Sequence, residues 1–203
     1  MLIPDYALHL LAFLIGAIPV GVLLTKARGI DVRSVGSGNI GATNVARTAG
    51  AKLGIITLLA DVLKGSLGTS LGDIFAHSPG DLNLSGSLGL AVVLGHCFSP
   101  FLKFKGGKGV ATGLGTFLYI SPLAGIGTLV VFGVVFYLSK FVSLSSIIAA
   151  ASLPFLILLI HKAPDSMLLL YATLIPLVLI LRHLTNIKRL LRGEEAKFKL
   201  KKS

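Results

Sequence analysis

The sequence predicts an all-α integral membrane protein of seven transmembrane helices, with the amino terminus outside and the carboxyl terminus cytoplasmic. Three observations carry this expectation. Of the 203 residues, 54% are hydrophobic and only 13% charged, against roughly 25% charged in an ordinary soluble domain. Apolar stretches of span length recur along the whole chain. Nearly every basic residue falls in alternate gaps between those stretches.

A helical span needs about 20 apolar residues, with roughly 17 to 25 tolerated. The first candidate is Tyr6 to Leu24. It lacks the positively charged leading segment of a secretory signal, and Lys26 and Arg28 follow it, so it reads as a retained span. Leu53 to Phe75 and Leu84 to Phe104 come next, punctuated by Gly65, Gly68 and Gly72 and by Gly86 and Gly89. Val110 to Ile120 is short and holds Gly113 and Gly115, so residues 109 to 139 also admit one span plus a re-entrant piece. Pro122, after Ser121, predicts a break, because proline disfavours helical geometry in the residue before it. Leu123 to Leu138, Leu144 to Ile160 and Ser166 to Leu181 complete the set. The recurrent glycines let neighbouring helix backbones approach closely, and packing is the plainer account of most of them.

Charge placement favours seven spans over six. With the amino terminus outside, the inner gaps hold Lys26, Arg28, Arg33, Arg47 and Lys52, then Lys103, Lys105 and Lys108, then Lys140. The tail adds Arg182, Lys188, Arg189, Arg192, Lys197, Lys199, Lys201 and Lys202. Only Lys162 falls outside and Lys64 lies within a span, so nearly every basic residue obeys the positive-inside rule. With six spans the basic segments would not share one side. No repeat of fixed period is present, so residues 1–203 read as one polytopic domain with a basic tail from about 183 to 203.

The net charge of +11 suits loops beside an anionic leaflet, making membrane lipids the expected surroundings. Nucleic acid is not expected as a partner, because most aromatics sit inside apolar runs and not beside a basic stripe. No obligatory protein partner and no cofactor are predicted. The lone Cys97 excludes an intramolecular disulfide framework and a cysteine zinc site. Asp5, Asp31, Asp61, Asp73, Asp81, Asp165, Glu194 and Glu195 are all the acidic residues, and no two are spaced like a Mg²⁺ site, so no metal is expected. No His-x-x-x-x-Asp spacing supplies an obvious general base.

Four polar blocks remain. The first runs Gly36-Ser37-Gly38-Asn39-Ile40-Gly41-Ala42-Thr43-Asn44-Val45-Ala46-Arg47. Its glycines, Gly41 among them, free the backbone to turn; Ser37, Asn39, Thr43 and Asn44 add neutral donors; Arg47 adds a planar fork matched to phosphate oxygens. The block suits an oxyanion, and equally a capped loop before the second span. The second block, Phe104-Lys105-Gly106-Gly107-Lys108-Gly109-Val110-Ala111-Thr112, places two ammonium groups, three glycines and the Thr112 hydroxyl at a predicted helix start, an arrangement fit for phosphate. Its spacing is not that of a Walker A loop. Asp61 and Lys64, three apart inside a span, share a helix face and must pair or line a wet cavity. In the fourth block, Arg182-His183-Leu184-Thr185-Asn186-Ile187-Lys188-Arg189, His183 and Asn186 lie one turn apart beside Arg189. His96, near the inner end of the third span, is either a packed histidine or a further polar contact.

Ser37-x-Asn39-x-Gly41-Ala42-Thr43-Asn44-x-x-Arg47, Asp61-x-x-Lys64-Gly65, the Phe104 to Thr112 block and Arg182-His183-x-x-Asn186-Ile187-x-Arg189-Leu190 resemble, in order, the bacterial acyl-phosphate:glycerol-3-phosphate acyltransferase family, PlsY. The resemblance implies a seven-span inner-membrane enzyme with its active site facing the cytoplasm. It would move a fatty acyl group from acyl phosphate to the sn-1 hydroxyl of glycerol 3-phosphate, giving lysophosphatidic acid and phosphate at the start of phospholipid synthesis. By position, Ser37 and Arg47 match residues needed for activity, and Gly106, Gly107 and Gly109 match a loop linked to glycerol-phosphate binding. His183 and Asn186 match the carboxyl-terminal activity motif, and Glu195, not Glu194, matches a structurally important glutamate. The family's His-x-Phe-Pro differs here, where His96-Cys97-Phe98-Ser99-Pro100 has proline one place later.

Residues and resemblance together give a set of expected sites. Ser37, Arg47, His183 and Asn186 are expected to act in catalysis. Asn39, Gly41, Thr43, Asn44, Lys64, His96, Lys105, Gly106, Gly107, Lys108, Gly109, Thr112 and Arg189 are expected to bind substrate phosphate, and Asp61 and Glu195 to support the structure. Acyl phosphate is a mixed anhydride with a good leaving group, so direct transfer needs positioning and charge stabilisation more than a covalent nucleophile. The departing phosphate is favoured over His183 as proton acceptor, because Arg182, Lys188 and Arg189 should weaken that histidine as a base. Rival readings are an organic-anion transporter or channel, a head-group phosphotransferase, and Cys97 as an acyl carrier. A transport path needs matched polar groups at the outer end, around His77 to Asn83 and Ser121, where the sequence offers few.

Overall fold

The computed structural model describes residues 4–75 and 80–198, and every described element is helical. His77, Lys199, Lys201 and Lys202 lie outside the described residues. The first apolar stretch forms two helices, α1 (Asp5–Ala17) and α2 (Val20–Lys26), separated at Ile18-Pro19. Proline brings no N–H and its ring obstructs the preceding turn, so the helix breaks there. A loop leads to α3 (Ala42–Ala49), and Gly50, at φ 95°, turns the chain into α4 (Ala51–Phe75). Helix α5 (Leu82–Cys97) starts at Asp81, whose carboxylate accepts the Asn83 and Leu84 N–H groups. The expected Leu84 to Phe104 span appears as the apolar stretch Leu82–Leu102, but its α-helix stops at Cys97 and a 3₁₀ turn at Pro100–Leu102 follows, because the chain cannot stay α-helical into Ser99-Pro100.

Next come α6 (Val110–Ile120), α7 (Pro122–Ser139), α8 (Val142–Ile160), α9 (Ser166–Leu181) and α10 (Leu184–Leu191). The predicted break stands at Ser121, with Pro122 as the first residue of α7. Among the described residues, five helical stretches are long and apolar enough to cross a membrane, taking α1–α2 as one, or six if α9 and α10, bent by 60°, are taken together. Helix α6, at 11 residues, is shorter than a full span.

Burial is arranged as a bilayer demands. Leu8, Leu88, Val92, Ile157 and Ile175 are inside, whereas Leu59, Tyr137, Leu138 and Leu159 stand well exposed on helix faces, where they meet hydrocarbon. Between helices, glycines replace apolar side chains. Gly16 lies against the Val92 carbonyl while Gly95 lies against that of Phe13, so α1 and α5 cross backbone to backbone. Gly65 and Gly115 do the same for α4 and α6, against the Thr112 and Val62 carbonyls. A Cβ at any of these four would collide with backbone, which makes the crossings intolerant of larger residues. The polar groups at the loop side of Ser121 pair locally, Ser121 with His161 at 2.9 Å and Tyr119 with Asp73 at 2.6 Å.

Candidate active site

The first block folds on Asn44, which α3 presents inward with 1% exposure. Its Nδ2 points at the Val32, Val35 and Asn39 carbonyls at 2.9–3.0 Å, and its Oδ1 accepts the Ser37 N–H at 2.9 Å. Asn44 therefore holds the loop together, and the Asn39 side chain turns onto the Gly41 N–H in the same way. Ser37 is left exposed between Gly36 and Gly38, both at positive φ, and Thr43 is half-buried.

Arg47, one turn beyond Asn44, faces the carboxyl-terminal segment. Its guanidinium donates to the Ala196 and Lys197 carbonyls at 3.3 Å and lies 5.5 Å over the Phe198 ring. The Phe198 N–H in turn donates to the Lys140 carbonyl at the α7–α8 corner. The tail thus straps α3 to α7 and α8.

Beneath the strap, side chains distant in sequence meet. The Lys108 ammonium donates to Asn186 Oδ1, and Asn186 Nδ2 donates to Glu195 Oε1 at 2.7 Å. Ser143 Oγ donates to the same oxygen and Arg189 Nε to Oε2, each at 2.7 Å. Asn186 and His183 are both buried, at 4% and 3% exposure. His183 Nδ1 donates to the Leu179 carbonyl at 2.7 Å, which fixes the neutral tautomer and leaves Nε2 with the lone pair.

The electrostatics follow from burying cations together. Burial first, then Arg189, Arg182 and Arg47, push the Lys108 ammonium down to about 8, against the pull of Glu195. His183 is pushed down to about 4, by burial first and Lys108 next, and Arg182 adds to this as expected. Burial would raise Glu195, but hydrogen bonds from Ser143, Arg189 and Asn186 outweigh it and keep the carboxylate below its ordinary value.

The glycine–lysine loop behaves differently from its sequence reading. The Gly106 and Gly107 N–H groups, expected to face an oxyanion, turn back onto the Cys97 and His96 carbonyls at 3.2 and 3.0 Å. Their own carbonyls accept Arg182 NH2 and Nε at 3.1 Å, and Arg182 also lies 5.1 Å over Phe98. The N–H groups of Lys108 and Gly109, before the start of α6, have no acceptor among the described residues. Gly109, at φ 78°, is packed against Cys97, Leu179 and Val93, leaving no room for a side chain. Lys105 is exposed outside the cluster, and Thr112 is fully buried with its hydroxyl unpartnered. Cys97 is fully buried beneath Gly109, out of reach of an acyl donor.

Asp61 and Lys64 pair at 2.8 Å, and His96 Nδ1 lies 3.6 Å from the same Asp61 oxygen. Ser143 escaped sequence reasoning, and Arg182, read there only as a neighbouring charge, was not expected to hold the loop carbonyls. The signal for Ser143 was present, since Ser143, Ser145 and Ser146 open an otherwise apolar span. An open notch of about 380 Å³ beside α2, lined by Ile18, Val22, Phe101 and Lys26 among others, shares no residue with the cluster.

A multi-pass helical membrane protein with a cationic, donor-rich cluster of Lys108, Arg189, Arg47, Asn186 and Ser143 at one end of its bundle belongs to the class that handles phosphorylated substrates at a membrane. Comparison narrows the class. The family model described as glycerol-3-phosphate acyltransferase matches residues 6–193. A glycerol-3-phosphate acyltransferase of Trichlorobacter lovleyi is 51% identical over 93% of this chain and 94% of its own length. One from Bacillus subtilis is 44% identical over 95% and 96%. The crystal structure of PlsY (YgiH), an integral membrane glycerol 3-phosphate acyltransferase, in its glycerol 3-phosphate form, superposes with a TM-score of 0.89 at 38% identity over 96% of each chain. Its lysophosphatidic acid form gives 0.87 at 37% identity, over 96% of this chain and 95% of that one. The chain belongs to the glycerol-3-phosphate acyltransferase family.

Proposed function

We propose that this protein transfers a fatty acyl group from acyl phosphate to the sn-1 hydroxyl of glycerol 3-phosphate, without a covalent enzyme intermediate, as the first step of phospholipid synthesis. The observation that carries the reading is the cluster in which half-buried Lys108 donates to Asn186, with Ser143, Asn186 and Arg189 gathered on Glu195, beside the unpartnered N–H groups of Lys108 and Gly109. Such a set suits a phosphate dianion. The PlsY forms with glycerol 3-phosphate and with lysophosphatidic acid support the acceptor and product assignments.

In the step proposed, the glycerol-phosphate hydroxyl oxygen bonds to the acyl carbonyl carbon, and the bond from that carbon to the phosphate oxygen breaks. The hydroxyl proton leaves with the departing phosphate. Lys108, Arg47, Arg189 and Ser37 hold phosphate oxygens, and His183 Nε2 orients the attacking hydroxyl. A histidine held near 4 is a poor base at neutral pH, whereas a phosphate dianion titrates near 6 and accepts the proton readily. Buried Cys97 supports transfer without an acyl-thiol.

The proposed topology has seven spans, α6 and α7 crossing separately, with the amino terminus outside and the cluster facing the cytoplasm at the inner membrane. The basic gaps of the sequence support it, as does the crowding of α3, the glycine–lysine loop, the α7–α8 corner and α10 at one end. The local pairing of polar groups near Ser121 weighs against a transport path.

Purified protein given palmitoyl phosphate and glycerol 3-phosphate, without added divalent metal, should yield lysophosphatidic acid and inorganic phosphate in equal amounts. No product with acyl phosphate, or product only with an acyl thioester, would overturn the donor assignment. Thiol labelling of Ser37→Cys from outside intact cells would overturn the sidedness.

A further inference from the structure

Lys64, expected to contact phosphate, has its ammonium engaged elsewhere. It is 6% exposed, pairs with Asp61 at 2.8 Å, and donates to the Ile18 carbonyl at 3.0 Å. Ile18 lies at the break between α1 and α2, where its carbonyl has lost its helical partner and otherwise accepts only the close Val20 N–H at 3.1 Å. The neighbouring freed carbonyl, that of Ala17, accepts Ser99 Oγ at 2.6 Å, and Ser99 is 1% exposed. One break in the first span is therefore capped from two directions, by α4 through Lys64 and by the glycine–lysine segment through Ser99.

The same groups lead to the loop that carries Lys108. Asp61 sits between Lys64 and His96. The imidazole of His96 abuts Gly107 through Nε2, so closely that a Cβ there would strike that atom. The His96 carbonyl accepts the Gly107 N–H at 3.0 Å, and the Ser99 carbonyl accepts the Phe104 N–H at 2.9 Å. None of Asp61, Lys64 or Ser99 touches the Lys108–Asn186–Glu195 cluster directly.

We infer that Asp61, Lys64 and Ser99 are positioning residues: by capping the carbonyls freed at the break in the first span they fix His96 and the loop of Gly106 and Gly107, which sets Lys108 against Asn186. The break is thus a working part of the acceptor site, although Lys64 binds no phosphate itself. Its effect on catalysis rests on the proposed acyl transfer; its effect on the loop does not. An unpaired charge or carbonyl at this depth is costly, so the trio is held as a unit.

Two variants test this, Ser99→Ala, which removes one cap and keeps the charge pair, and Asp61→Asn/Lys64→Gln, which neutralises the pair and keeps a donor for Ile18. Each is read by hydrogen exchange of the peptide covering residues 104 to 110, by KM for glycerol 3-phosphate and for palmitoyl phosphate, and by thermal melting. The expected result is faster loop exchange with KM for glycerol 3-phosphate raised about tenfold, the scale of a modest misplacement, while KM for palmitoyl phosphate stays within about twofold. A lowered melting temperature with unchanged loop exchange and unchanged KM in Ser99→Ala would overturn the inference, leaving structural caps. If the double variant fails to fold, Ser99→Ala decides alone. If the unaltered protein does not acylate glycerol 3-phosphate, the proposed function fails while the exchange arm still decides the inference.

Discussion

Removing the Glu195 carboxylate isolates the strap's contribution to the site. Its two oxygens accept three hydrogen bonds at 2.7 Å, from Ser143, Asn186 and Arg189. In Glu195→Ala, Ser143 and Asn186, both buried, lose a partner, at about 1–3 kcal/mol per orphaned donor. Arg189 is 42% exposed, so water replaces most of its loss. The two donors together cost about 2–6 kcal/mol, a fall in melting temperature of roughly 4–24 °C at about 2–4 °C per kcal/mol for a chain of this size. Glu194→Ala, on an exposed neighbour, should stay within about 0.5 kcal/mol of the parent. The single buried Cys97 supplies the assay, since a thiol-reactive fluorophore reports unfolding only when Cys97 is uncovered. Because the Glu195 pKa is lowered in the folded state, its stabilisation is complete above the ordinary value of 4.5 and fades as pH falls below it; the gap between parent and Glu195→Ala should narrow in acid. Equal melting temperatures for Glu195→Ala and Glu194→Ala near neutral pH would refute the reasoning.

Other outcomes follow from the same geometry. Lys108, held near 8, should lose its charge as pH rises through that value, so kcat/KM for glycerol 3-phosphate should fall about tenfold per pH unit above it; in Lys108→Arg that limb should disappear. His183→Gln should keep a residual rate with no change in the pH profile between 5 and 7, since a group near 4 does not titrate there; only trace turnover at every pH with intact substrate binding would favour His183 as the base. Cys97→Ser should retain full turnover, measured as phosphate release, and a large loss would revive an acyl-cysteine. Gly115→Leu should prevent folding or assembly of α6 on α4, seen as loss of monodisperse protein on gel filtration, because the added side chain meets the Val62 carbonyl.

Much of the scaffold was legible because bilayer insertion reads composition along the chain. The apolar stretch 166–181 matches α9 to the residue, and the Ser121-Pro122 break lies where proline chemistry puts it. The third span, Leu82–Leu102, was legible too, but the end of its α-helix at Cys97 was not, since apolar Phe98, Phe101, Leu102 and Phe104 continue the hydropathy after the helix has stopped. Composition does not report a change of backbone path.

The sequence by itself determined that the chain enters the membrane repeatedly, that its cations gather on alternate gaps, and that its polar residues fall in four blocks. These properties are local, set by transfer free energy and short-range backbone sterics. Tertiary structure alone decided what each polar group does: Asn44 closes its own loop, Gly106 and Gly107 turn inward, Lys64 caps Ile18, and Ser143 joins Glu195. A hydrogen bond depends on a few tenths of an ångström between groups such as Lys108 and Asn186, 78 residues apart. Only the packing of α4, α5, α6 and α9 around close glycine crossings fixes such distances.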